Sequence, residues 1–197
     1  MSPELLRSLV WTDFRLALLF AVFIPLVLLI WAFMKKSEAI QRLLIIYWRV
    51  SSLLAVTVYL FIGNLPISFV AGILASILIP ISLWFWVDLN EEIDDLSPSS
   101  MKLSFTAWRW AISVYSVVGV LTSLPFLQCS VSTTAYATPF CQVWREPSLL
   151  FKEYFHAGYT PQFLGFLGIV GLVIYVLYLG YFVLVRLGKQ GRSAAHN

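Results

Sequence analysis

At 197 residues with 60% hydrophobic and 12% charged, the chain has about half the charge of an average soluble protein, and its mean hydropathy of +0.85 points to a single membrane domain. The net charge of +3 is too small to suggest a nucleic-acid partner, and basic residues at membrane margins account for it. Two cysteines without a C-x-x-C spacing and two histidines leave little material for a protein-built transition-metal centre.

Ser2-Pro3-Glu4 is a helix start: a capping serine, proline at the first helical position and an acid in the first turn. Leu5, Leu6, Leu9, Val10 and Phe14 form a partly amphipathic lead-in with Arg7 and Asp13 on its polar side. The first span covers about residues 16–34, with Pro25 mid-membrane and Trp31 near its exit. Its basic flank, Lys35, Lys36 and Arg42, follows the apolar run, and no A-x-A site is present, so it reads as an uncleaved anchor.

Between Arg49 and Asp88 there is no Asp, Glu, Lys, Arg or His. At ~1.5 Å per residue, ~30 Å of hydrocarbon takes roughly 20 residues, so this run is two crossings. They fold back at Gly63-Asn64-Leu65-Pro66, where Gly63 is expected to supply a permissive backbone and Pro66 to reopen a helix. The second span is about 43–62 and the third about 67–87. Pro80 predicts a bend unless neighbours re-satisfy the freed carbonyl, and Gly72 and Ser76 are spaced for close helix approach. An acidic extension, 88–100, follows, with a break at Ser97-Pro98. The fourth span is about 105–124 and the fifth about 163–185, joined by a loop, 125–162, and followed by a basic tail, 186–197. The expected fold is therefore all-α, a polytopic bundle of five transmembrane helices with short interfacial helices.

Orientation follows from the basic residues. With the amino terminus outside, the inner face collects Lys35, Lys36, Arg42, Arg49, Lys102, Arg109, Arg186, Lys189 and Arg192, and the outer face only Arg7, Arg15, Arg145 and Lys152. A weak repeat is visible: Tyr47-Trp48-Arg49 opens the second span and Ala107-Trp108-Arg109 the fourth, each ending in Leu-Pro. Duplication would produce it, and so would tryptophan and snorkelling arginine meeting the same interface twice.

Arg49 and Arg109 are the sharpest chemical candidates, because arginine within a span costs roughly 2.5–3.5 kcal/mol at the bilayer centre. They read either as an anion site for a lipid headgroup or solute, or as ion-pair partners of Asp88. Asp88, Glu91, Glu92 and Asp95 recur at helical spacing and share one face if the third helix continues, giving a carboxylate site for a divalent cation, a surface for a basic partner or a solvated extension. Cys129 and Cys141 are expected to form a disulfide in the outer loop, worth about 3 kcal/mol by chain entropy. Leu150, Phe151, Tyr154 and Phe155 form the apolar stripe of an interfacial helix, beside which His156 is polar surface or an axial ligand for chlorophyll or haem. Gly165, Gly168 and Gly171 of the fifth span, with Ser113, Ser116, Gly119 and Ser123 of the fourth, are expected to pack those two helices together. No ionisable residue falls mid-span, and no catalytic or nucleotide-binding signature is present.

With Trp11-Thr12-Asp13-Phe14-Arg15, the two Trp-Arg starts and the cysteine-bearing loop, the chain resembles a family of uncharacterised cyanobacterial integral membrane proteins. That resemblance implies a cyanobacterial inner or thylakoid membrane and carries no functional residue. The function expected is a non-enzymatic accessory or assembly subunit of a larger membrane complex, photosynthetic or respiratory. The alternative is a small transporter or lipid-binding protein using Arg49 and Arg109.

Overall fold

The computed structural model describes residues 2–187, and among them it contains helices and no strands. Five helices are long and apolar enough to cross a membrane: Pro3–Lys35, Glu38–Ile62, Ile67–Trp84, Ser100–Val131 and Pro161–Val185. Most of the basic tail, with Lys189 and Arg192, lies outside the described residues.

The first rod begins where its cap predicts, with the Ser2 hydroxyl accepting from the Leu5 N–H at 3.4 Å. It runs as α1 (Pro3–Ala17), a π-helical segment (Leu18–Phe23) and α2 (Ile24–Lys35). Pro25 explains the widened turn. The Ile24 N–H reaches back five residues to the Leu19 carbonyl, and Pro25 has no N–H to give. The carbonyls of Phe20 and Ala21 are thereby left short of main-chain donors. Two side chains supply them: Trp108 Nε1 donates to the Phe20 oxygen at 2.8 Å, and the Tyr47 hydroxyl to the Ala21 oxygen at 2.7 Å. The two rings meet edge to face, 5.0 Å apart.

The rod ends at Lys36, in the left-handed region at φ 53, and α3 (Glu38–Ile62) returns through the middle of the bundle. Helix α3 packs against α2 and its own hairpin partner α4 (Ile67–Trp84), and also against the last helix, α11 (Pro161–Tyr181). At the hairpin the left-handed residue is Asn64 (φ 59), while Gly63 sits at φ −69, so the permissive backbone is one residue later than expected. Gly63 is required for a different reason. A Cβ there would lie 2.4 Å from the Cα of Gly165, where α11 crosses the turn. Farther along α11, a Cβ on Gly168 would meet the Leu60 backbone at 3.0 Å, and one on Gly171 would meet Val56 at 3.2 Å. The glycine track of the last span therefore packs on α3 and not on the fourth span.

Helix α4 runs unbroken through Pro80 but stops at Trp84, short of the expected boundary. Trp86 is extended (φ −84, ψ 103), and a separate helix, α5 (Val87–Asp95), buries Leu89 and Ile93 against α3. The acidic stretch is thus a helix of its own rather than a continuation. Helix α6 (Ser100–Ser123) opens on a Ser99 cap and packs against α4. Short helices α7 (Gln128–Val131), α8 (Thr133–Tyr136), α9 (Pro139–Gln142) and α10 (Glu146–Phe155) cover one end of the bundle. The outward faces of α6 and α11 expose Val117, Leu121, Ile174 and Leu177 among others, as lipid contact requires.

Gly63→Ala should overpack the α3–α11 crossing and cost about 1–3 kcal/mol, whereas Gly119→Ala, facing open space, should be neutral within about 0.5 kcal/mol. Thermal unfolding in detergent distinguishes them. By the same measurement, Tyr47→Phe should cost about 1–3 kcal/mol by orphaning the buried Ala21 carbonyl.

Candidate functional site

Arg49 and Arg109 are not brought together. Arg109 is buried, stacked 4.1 Å over Trp84, donating to Asn90 Oδ1 and 4.0 Å from the Asp94 carboxylate. Asn90 in turn donates to the Trp86 carbonyl at 2.7 Å, and Trp84 Nε1 to Ser113 at 2.9 Å. Arg109 therefore fastens the α4–α5 corner to α6. Arg49 is exposed and lines a separate cleft of about 370 Å³ with Arg42, Tyr175 and Tyr178. A joint anion site is thus excluded by position, and the ion-pair partner of Arg109 is Asp94 rather than Asp88.

Asp88, Glu91, Glu92 and Asp95 do share one face of α5, the one turned from Leu89 and Ile93; all but the half-buried Asp88 are exposed. Among the described residues, no three His, Cys, Asp or Glu side chains converge on a metal-sized site.

At the other end, Cys129 and Cys141 are joined as a disulfide with Cα atoms 5.8 Å apart. The bridge sits in a cluster with Leu6, Val10, Phe69, Phe126, Tyr136 and Val143. Burial pushes the Tyr136 phenol up, with Arg145 opposing. Glu146 binds α1 to this cap: its Oε2 accepts from Arg7 Nε at 2.7 Å and from Trp11 Nε1 at 3.3 Å. Helix α10 buries Pro147 and Ser148 and leaves Tyr154 and Phe155 exposed, an outward apolar stripe. Nε2 of His156, the nitrogen an axial ligand would offer, is committed to the Tyr59 hydroxyl at 2.8 Å.

Between these two ends lies the feature that the sequence pattern hid. Helix α1 is held at its amino end by Glu146 and, through the π segment, by Tyr47 and Trp108, and between those anchors it stands off from α3, α4 and α6. The gap is a cavity of about 530 Å³. Its walls carry Ala17 from α1, Ala21 from the π segment, Ala55 from α3, Gly72 and Ser76 from α4, and Ser116 and Gly119 from α6. The fourth-span residues Ser116, Gly119 and Ser123 thus open a space instead of closing a helix pair, and a Cβ on Gly119 would meet nothing within 4 Å. Phe126, Trp144, Pro147, Ser148 and Phe151 line the α10 end. Volume and mainly apolar lining match those of small-molecule sites. Asp13, placed by pattern on the polar side of a lead-in, faces this cavity and accepts from the Tyr115 hydroxyl at 2.8 Å. The one available signal was its spacing from Ala17 and Ala21 on the same helical face.

The family described as Protein of unknown function (DUF3177) matches residues 7–195. No curated protein and no solved structure matches the chain.

Arg109→Gln should lower stability by about 1–3 kcal/mol, because it strips a buried network, while exposed Arg49→Gln should change it by less than about 0.5 kcal/mol. Parallel melts in one detergent read both.

Proposed function

We propose that this chain, which belongs to the DUF3177 family of unknown function, is a non-enzymatic accessory protein of a larger membrane complex that holds a lipid-like molecule in its interior cavity. The cavity carries the reading. Close packing is the default between apolar helices, yet here small residues from α1, α3, α4 and α6 line one space of about 530 Å³. Two buried hydroxyls on its wall, Ser116 and Ser148, are 2% and 3% exposed and have no hydrogen-bond partner among the described residues. A cavity with waiting polar groups suits an occupant better than a void.

The accessory role is supported by surface. Helix α5 offers an exposed acidic face, and α11 contacts the bundle along α3 while exposing Phe166, Val173 and Ile174. A photosynthetic or respiratory complex of a cyanobacterial inner or thylakoid membrane is our proposed setting. The distribution of basic residues favours the cysteine-bearing cap outside or in the lumen and the carboxyl end in the cytoplasm. The second reading, a small lipid-handling or transport protein acting alone, moves from the two arginines to this same cavity.

The test is affinity purification in mild detergent, read by native gel, mass spectrometry of co-migrating proteins, and solvent extraction of bound small molecules. Wild-type protein should carry about one lipid-like molecule per chain and run with the subunits of one complex. Gly119→Phe should fill the cavity and release the molecule with little change in melting temperature. An empty wild-type protein would overturn the cavity reading. Migration alone would overturn the accessory role and leave the lipid-handling one.

A further inference from the structure

The polar lining of the cavity is biased in one direction. Five of its hydroxyls donate back to their own helices: Ser51 to the Trp48 carbonyl, Ser52 to Arg49, Thr57 to Leu53, Ser68 to Leu65 and Ser76 to Gly72, at 2.7–3.4 Å. A hydroxyl has one proton, so once it is given to the backbone only lone pairs remain for an occupant. The Tyr115 proton is likewise committed, to Asp13 Oδ1 at 2.8 Å and the Asp13 main-chain oxygen at 3.2 Å. The indole N–H groups of Trp48 and Trp144, donors on wall residues, are buried and have no hydrogen-bond partner among the described residues.

Asp13 itself is the decisive group. Its Oδ2 has no protein donor, and none of the ion pairs among the described residues includes it. A carboxyl group without a nearby cation in an apolar setting lacks what would balance its charge, and an occupant that brings a donor or a positive charge supplies it. The uncommitted hydroxyls of Ser116, Ser123 and Ser148 are neutral and weak by comparison. The polarity also has a direction. Asp13, Ser68 and Ser148 lie toward the α10 end, while Ala21, Ile79 and Ile112 line the π-segment end.

Resting on the cavity reading above, we infer that the occupant is an amphiphile with a non-anionic, hydrogen-bond-donating head, an alcohol or an amine, seated on Asp13 with its apolar body pointing toward the π segment. Anionic heads are disfavoured because they bring no donor to Asp13 and would add a second negative charge beside its carboxyl group.

Decanol, decylamine and decylphosphonate share a chain and differ in the head. Binding of each to the purified full chain in amphipol, read by native mass spectrometry, should show the alcohol and amine bound and the phosphonate at least about tenfold weaker. Decylamine tighter than decanol assigns a cationic head, and the reverse order a neutral one. Asp13→Asn should bring the phosphonate to within about threefold of decanol. Tyr115→Phe, which keeps the charge and frees an oxygen, should preserve the discrimination. Equal binding of all three probes by wild type, or an unchanged ratio in Asp13→Asn, overturns the head assignment while the cavity reading stands. Binding of none overturns both.

Discussion

Much of this structure depends on two carbonyl groups that a proline leaves without main-chain donors inside the bilayer. Pro25 cannot close the ladder to Phe20 and Ala21, and hydrocarbon offers no water to replace the missing donors. Trp108 and Tyr47 do so from two different helices. One local defect in the first rod is thereby converted into a three-helix joint. The same joint lies in the buried cluster that holds Leu28, Ala32, Phe105 and Ile112. The Trp-Arg pattern that opens the second and fourth spans acquires a physical meaning here, although the equivalent residues are Tyr47 and Trp108 and the two arginines diverge. Arg109 is a buried fastener and Arg49 is surface.

A joint at one end and a disulfide-braced cap at the other leave α1 spanning a gap. Its amino end is fixed by Arg7 and Trp11 on Glu146, in a cap whose interior is closed by Cys129–Cys141 and aromatic rings such as Phe126 and Trp144. Neither anchor draws the middle of the rod inward, and Ala17 and Ala21 leave room beside the larger Phe14 and Leu18. The cavity is a consequence of where the helix is held. Asp13 and Tyr115 then give it polar character near the capped end.

Composition and periodicity determined the five spans, the all-helical class, the pairing of the cysteines and the hairpin turn at Gly63-Asn64-Leu65-Pro66. These are properties of hydropathy, length and local backbone, which act within a segment and need no knowledge of neighbours. Small residues were ambiguous by nature. Glycine and serine at four-residue spacing allow either close approach or empty space, and only the packing assigns the first outcome to Gly165 and Gly168 and the second to Gly119 and Ser116. Charged residues were ambiguous for the same reason: Asp94 rather than Asp88 meets Arg109, because the chain breaks at Trp86 and restarts as a separate helix. Asp13 looked like polar edge by sequence and became a cavity wall once Pro25 and Glu146 had fixed the rod at both ends. The sequence by itself decided what crosses the membrane; the tertiary structure decided what faces what, since contacts between distant residues follow from how helices are anchored, which no local pattern records.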